Sequence, residues 1–361
     1  MIKVTIRPHW EISVDAGAPL DTAALLGMLL AIQTTGSIAQ AAKAVHLSYR
    51  YAWGLLRDAE QLFGAPLLST GRGRGTQLTV LAQKLVWADR RVAARLSPTL
   101  ESLASELEGE LSRITTKALH TLRMDASHGF AVAALLEHLN VNQLTLALPI
   151  ELRYRNSTDA VAALARKECD LAGFHVPTGE FEATAMQWYA RWLDPAHHCL
   201  IHLAVRDQGL FVAPGNPRQI TGLRDLARKG IRFVNRQTGS GTRMLLELML
   251  AQAGLSTHDI EGYNSSEFTH SAVAAYIASG MADVGIGVKT AAQRFGLGFI
   301  PLLRERYFFA IPLKALEEPL MQQFIGILQS PAYHRLVNQL SGYDATDTGK
   351  ILLLEEAFGK R

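Results

Sequence analysis

Apolar positions recur at helical spacing from Leu20 to Ile32, with Asp21 near the start and Thr34, Thr35 and Gly36 at the end, which predicts a first helix. Ser37 is placed to cap a short helix, Ile38 to Ala44, whose Ala39, Ala41, Ala42 and Ala44 permit close packing on a neighbour. After the tight connection Val45-His-Leu47, Ser48 caps a third helix running from Tyr49 to about Phe63. There Trp53, Leu56, Ala59, Glu60 and Phe63 fall at intervals of three and four, and Tyr49, Arg50 and Arg57 are left to project outward. The pair Leu67-Leu68 and the run Gln77 to Val80 flank Gly71-Arg-Gly-Arg-Gly75, a hairpin with a glycine-rich tip. From Leu85 to Leu119 the pattern is helical again, interrupted at Pro98, and Leu96, Leu100, Leu103, Leu107 and Leu111 form an apolar seam.

Beyond Leu119 the period changes and strands alternate with helices. Thr121–Met124, Leu144–Tyr154 and Asp170–His175 read as strands, Phe130–Leu139 and Ala160–Arg166 as helices, which predicts α/β layering with a mostly parallel sheet. Ligands in such sheets gather at the carboxyl ends of strands, and those ends carry Asp125-Ala-Ser-His-Gly129 and Asn156-Ser-Thr-Asp159. A second lobe begins near Pro214 with a helix at Leu223–Arg228, a strand at Ile231–Asn235, the loop Arg236-Gln-Thr-Gly-Ser-Gly-Thr-Arg243 and a helix at Met244–Ala253. Another helix follows at His270–Ser279. Strand, Ser/Gly/Thr loop and helix together converge backbone amides, hydroxyls and a positive helix end, an arrangement suited to an anion.

The length of 361 residues predicts two or three domains. Residues 36–95 hold nine Lys and Arg against three Asp and Glu, a local charge of +6 in a chain of net charge +3. One end is thus suited to a polyanion while the remainder does something else. The longest strongly apolar stretch, Ala23–Ile32, is far short of the roughly 18 residues of a membrane span. The amino terminus shows no secretory pattern, and Cys169 and Cys199 are a poor basis for a disulfide framework, so the expected compartment is the cytoplasm.

The run Gly36-Ser-Ile-Ala-Gln-Ala-Ala-Lys43, then Leu47-Ser-Tyr-Arg-Tyr-Ala-Trp53, Gln61 and the wing ending in Gln77-Leu-Thr79 closely resembles the winged-helix domain of molybdate-responsive repressors, whose plan LysR-type regulators share. The resemblance implies a dimeric, DNA-binding transcription factor with the 85–118 helix as a dimerising linker. It places Ser37, Gln40, Ser48, Tyr49, Arg50, Arg57, Arg72 and Arg74 at duplex DNA. Asp170-Leu-Ala-Gly-Phe-His175, Gly215-Asn-Pro217, Asn235 to Arg243 and Asp283-Val-Gly-Ile-Gly287 resemble two-lobed periplasmic-binding-protein-like domains that bind tetrahedral oxyanions. The implied organisation is an α/β multidomain chain. It comprises a winged helix-turn-helix at 1–84, a linker helix at 85–118 and a type II two-lobed sensor at 119–361, its second lobe at about 214–305. Repressors sharing the amino-terminal domain usually carry small β-rich oxyanion domains, unlike this sequence, so the winged helix alone does not transfer molybdate sensing.

The expected ligand contacts are Ser127, His128, Gly129, Asn156, Ser157, Thr158, His175, Arg236, Gly239, Ser240, Gly241, Thr242 and Arg243. Molybdate or tungstate is the first expected ligand; formate and a molybdenum-cofactor species follow. Neither a metal nor a cofactor is expected. Gly239-Ser-Gly-Thr lacks the spacing of a phosphate-binding nucleotide loop, Gly285-Ile-Gly287 is an incomplete dinucleotide fingerprint, and His197-His-Cys199 with His202 matches no familiar zinc spacing. An oxyanion- or pterin-processing enzyme and a transport-binding protein are the competing classes; the basic winged helix favours a regulator, as a homodimer or homotetramer with no membrane partner.

Overall fold

A computed structural model describes residues 3–13, 19–71, 75–115, 121–142 and 148–358. The chain divides into two compact units, Arg7–Leu96 and Met1–Ile6 with Ser97–Arg361. The division falls at Leu96/Ser97 within a helix, and residues 3–6 go with the larger unit.

In the smaller unit, α1 (Thr22–Thr35) is capped by Asp21, which accepts from the Ala24 amide at 3.0 Å, and is ended by Gly36 in the left-handed region. Ser37 caps α2 (Ile38–Ala44) and Ser48 caps α3 (Tyr49–Phe63). The buried stripe of α3 is Ala52, Leu55, Leu56 and Ala59. Trp53, expected inside, is instead half exposed, because the stripe that meets Leu25, Met28, Leu29 and Ile32 of α1 starts one residue earlier in the turn. Strands β1 (Leu68–Gly71) and β2 (Gly75–Leu78) pair antiparallel as the wing. Gly75 sits at φ 66°, and a Cβ there would lie 2.8 Å from the Gly36 carbonyl oxygen, which also accepts from the Thr76 amide. Only glycine lets the wing close on the α1–α2 turn. Helix α4 (Val80–Thr115) follows, continuous through Pro98 rather than interrupted there. One missing backbone donor does not end a helix that is packed on both sides of the proline.

The larger unit contains one long sheet. Its first half is parallel: β3 (Leu122–Ala126), then α5 (Phe130–Val141), β4 (Ile150–Tyr154), α6 (Ser157–Ala165), β5 (Leu171–Pro177) and the short α7 (Glu182–Gln187). The expected strand at Leu144–Tyr154 is observed from Ile150; residues 143–147 lie outside the described residues. Next come β6 (His198–Val212), β7 (Phe233–Arg236), α8 (Gly241–Gln252), β8 (Ser266–Glu267), α9 (His270–Ala278), β9 (Val284–Val288), α10 (Lys289–Arg294) and β10 (Gly298–Pro312). Closing the chain are α11 (Pro319–Leu328), α12 (Pro331–Asn338), β11 (Tyr343–Asp344), β12 (Ile351–Leu353) and α13 (Leu354–Phe358).

Strand order is β4-β3-β5-β10-β6-β9-β7-β8, with β11 and β12 also on β6. The antiparallel strands β6 and β10 are each 15 residues long and belong to both lobes. One part of β10 pairs with β5 of the first lobe, and the far end of β6 pairs with β9 of the second. Apolar clusters fill each lobe, and one of them joins Phe130 of α5 to Val234, Val273 and Ala291 of the second lobe, while β6 and β10 run through both. At the sheet edge, β4 has no strand neighbour on its outer side among the described residues; the hydroxyls of Ser105 and Ser102 on α4 accept from the Leu152 and Tyr154 amides at 2.8 and 2.9 Å. Among the described residues no helix is long and apolar enough to cross a membrane.

Candidate functional site

In the larger unit, the carboxyl ends of β3, β4, β7 and β8 lead into the amino termini of α5, α6, α8 and α9. Local sequence makes each junction. Asn156 caps α6, accepting from the Asp159 amide at 2.8 Å; Ser240 caps α8, and Thr269 caps α9, accepting from the Ala272 amide at 2.9 Å. Side-chain caps satisfy one amide each and leave others of the first turn free for an anion.

These junctions enclose a cavity lined by Ser127, His128, Arg155, Asn156, Ser157, His175, Arg206, Arg236, Gln237, Ser240, Gly241, Thr242, Phe268 and His270. The space open to the centres of water-sized atoms is about 20 Å³. That is room for one small ion or a water and little more.

Two buried guanidinium groups dominate its electrostatics. Arg206 on β6 stands opposite Glu305 on β10 in the strand register, with Nε and Nη2 each 2.8 Å from Glu305 Oε2. Burial works against its charge, but the attraction of Glu305 and the neighbouring Tyr343 hydroxyl leave the pKa raised, and among the described residues Nη1 has no hydrogen-bond partner within normal geometry. Arg236 donates through Nη1 to the Phe268 carbonyl, and among the described residues its Nε has no hydrogen-bond partner. Burial first, then the charge of Arg206, pulls Arg236 down to about 9, so it remains cationic at neutral pH. Two like charges facing one small space are a standing electrostatic cost that an anion relieves.

The imidazoles add no charge. Burial, reinforced by Arg236 and Arg206, holds His128 down to about 3, and burial holds His175 and His270 well below the ordinary histidine value. His175 Nδ1 lies 2.9 Å from Ser127 Oγ, while among the described residues His175 Nε2 and His270 Nδ1 have no hydrogen-bond partner. Backbone packing fixes this wall: the Tyr307 hydroxyl donates to the Ser127 carbonyl, and the Tyr189 hydroxyl donates to the His175 carbonyl. Gly173 is required beneath it, since a Cβ there would meet the Tyr307 hydroxyl.

Of the ligand contacts expected from sequence, the cavity brings together Ser127, His128, Asn156, Ser157, His175, Arg236, Ser240, Gly241 and Thr242. Gly129, Thr158, Gly239 and Arg243 do not line it. Thr158 supports the α6 cap by donating to Asn156 Oδ1 at 2.9 Å, and Gly239 leaves room for the Asn156 side chain, since a Cβ there would lie 3.3 Å from Asn156 Nδ2. Gly129 backs Arg206, with Nη1 3.7 Å from where its Cβ would be. Arg243 turns away to Glu247 at 3.2 Å and lies over the Tyr263 ring. Arg155, Arg206, Gln237, Phe268 and His270 line the cavity without having been expected there. An arginine set between the mostly apolar stretches 199–205 and 210–212 is the signal that could have found Arg206.

His197 is exposed and 2.8 Å from Asp194, while Cys199 is buried; among the described residues no group of three or more His, Cys, Asp and Glu could hold a metal ion.

On the smaller unit, Gln40, Ser48, Tyr49, Arg50 and Arg57 are exposed and Ser37 is partly so. The Ser37 and Ser48 oxygens accept from the Gln40 and Tyr51 amides, which leaves each hydroxyl hydrogen for an outside acceptor. Tyr51 and Trp53 add exposed aromatic surface to α3. Arg72 and Arg74 lie outside the described residues.

The PBP superfamily domain matches residues 140–329, and the bacterial regulatory helix-turn-helix protein, lysR family, matches residues 24–83. The uncharacterized protein YvgK of Bacillus subtilis (strain 168) is 35% identical over 204 residues, covering 56% of this chain and 65% of that protein. The molybdenum transport protein ModE of Azotobacter vinelandii is 29% identical over 165 residues, covering 44% of this chain and 61% of ModE. The HTH-type transcriptional regulator CbbR of Sinorhizobium medicae (strain WSM419) is 25% identical over 308 residues, covering 81% of this chain and 88% of CbbR. The chain thus spans just under two thirds of the length of YvgK and of ModE. With its binding-protein match extending over more than half of its length, the chain belongs to the PBP superfamily and carries a helix-turn-helix domain of the lysR family ahead of it.

Proposed function

We propose that this chain is a cytoplasmic, ligand-responsive transcriptional regulator that binds operator DNA as a dimer or higher oligomer and senses a small oxyanion, molybdate or tungstate first. The observation that carries the reading is the pair Arg206 and Arg236, both buried and each with a nitrogen unpartnered among the described residues, on one small cavity. The CbbR relative, named as a transcriptional regulator, supports a binding protein over an enzyme, and the ModE relative, named for molybdenum transport, supports the metal oxyanion. A pterin is too large for the space; formate is small enough but leaves hydroxyl donors unused. Leu103, Leu107 and Leu111 remain substantially exposed on α4, an apolar row suited to pairing between chains. Ligand held between lobes that share β6 and β10 favours whichever lobe angle it fits better, which is how binding would bias the regulator.

Calorimetry on the full chain tests the ligand. Molybdate or tungstate should bind at one site per chain, and Ser240→Ala with Thr242→Val should weaken it about tenfold or more through loss of two hydroxyl donors. Undiminished binding in that variant would remove the hydroxyl side of the cavity from the site.

A further inference from the structure

We infer that Gly54 is itself a DNA contact: its missing side chain lets the backbone of α3 come against the edges of the bases in the major groove. The inference rests on the DNA-binding reading above and adds to it a residue and a depth of insertion.

The buried stripe of α3 is Ala52, Leu55, Leu56 and Ala59. At roughly 100° per residue, the direction opposite that stripe belongs to Arg50, Gly54, Arg57 and Gln61. The two arginines and Gln61 are exposed, so Gly54 forms a notch in the middle of a polar, basic face. Inside a helix, glycine is destabilising relative to alanine, and packing within the smaller unit gives no reason for it here. Its φ is not positive, and among the described residues a Cβ built on it would meet nothing within 4 Å. Gly36 and Gly64, by contrast, end helices in the left-handed region.

Duplex DNA is the occupant that the face fits. The major groove is about 12 Å wide and an α-helix with its side chains about 10–12 Å across, so the residue at the centre of the inserted face decides how near the helix axis comes. At Gly54 that residue ends at Cα. Seated that close, Arg50 and Arg57 straddle the contact and reach base edges, where arginine pairs with guanine, as well as phosphates. The flanking groups leave the notch open. The Tyr51 hydroxyl donates to Asp21 Oδ2 at 3.4 Å, and the carboxylate of Asp58 lies 3.8 Å from Arg57 Nε.

The test uses duplexes enriched from a random-sequence pool on the unsubstituted full chain. Gly54→Ala should weaken binding of the enriched duplex about tenfold or more, because a methyl group is forced into a filled contact. Binding of a mixed-sequence duplex at low salt, held by phosphates, should change by less than about threefold. Scanning calorimetry should show the same variant more heat-stable, the transition of the smaller unit rising by about 4 °C or more. Gly27→Ala, inside α1 with its Cβ 3.9 Å from Val45 Cγ1, is the control for stabilisation alone and should keep full affinity. Enriched duplex bound as tightly by Gly54→Ala as by the unsubstituted chain, or weakened equally by Gly27→Ala, would overturn this inference and leave the DNA-binding reading standing. A full chain that enriches no duplex would overturn both.

Discussion

Arg206→Met is expected to abolish oxyanion binding and to destabilise the larger unit by about 3–5 kcal/mol, because it strands a buried carboxylate. Glu305 is about 1% exposed, and the partner that satisfies it in register is Arg206, itself about 2% exposed. Removing the cation leaves Glu305 ionised without compensation or forces it to take up a proton, and either way the folded state is penalised. The double variant Arg206→Met with Glu305→Leu separates the two roles. Replacing a buried ion pair by apolar groups of similar volume is often near neutral, so urea denaturation should return most of the lost stability. Oxyanion binding should stay abolished, since Met offers no donor to the cavity. A double variant that binds oxyanion like the parent would remove Arg206 from the site while leaving its structural role intact.

The second large effect is expected at DNA. Basic side chains that neutralise phosphates release counterions, so operator affinity should fall steeply as salt rises. Arg50 stands exposed near the start of α3, and Arg72 and Arg74 belong to the wing segment of the sequence. The triple variant Arg50→Ala, Arg72→Ala, Arg74→Ala should weaken binding and lower the slope of log K against log salt by about one for each phosphate no longer neutralised. Arg50 is exposed and lies outside the buried core of the smaller unit, so the thermal stability of the Arg50→Ala single variant should hardly change. An unchanged slope with intact affinity would move the DNA surface elsewhere.

The helix-turn-helix was readable because its signals are local: Ser37 and Ser48 act on amides three residues ahead, and Gly36 ends α1 within one residue. The strand-to-helix junctions at Ser127, Asn156–Ser157 and Ser240–Thr242 were readable for the same reason. What sequence reasoning missed depends on partners far along the chain. Arg206 is explained by Glu305, 99 residues away, and His270 by a cavity whose other walls come from β3, β4 and β6. Arg243 was misdirected by its place in the loop motif. It is the third residue of α8, and each residue turns a helix by roughly 100°, so Thr242 faces the cavity while Arg243 reaches back to Glu247 one turn on. Trp53 shows the matching ambiguity in α3, where a stripe starting at Ala52 and one starting at Trp53 both satisfy the spacing of three and four.

If oxyanion and DNA binding are linked, each changes the affinity for the other by the same factor. Fluorescence anisotropy of labelled promoter DNA with the full chain, in the absence and presence of saturating molybdate or tungstate, reads that factor directly. The account predicts a shift of about fivefold or more in the concentration giving half-saturation, in either direction, and no shift in the Arg206→Met, Glu305→Leu double variant. Superimposable curves for the unsubstituted chain with and without either oxyanion would contradict it.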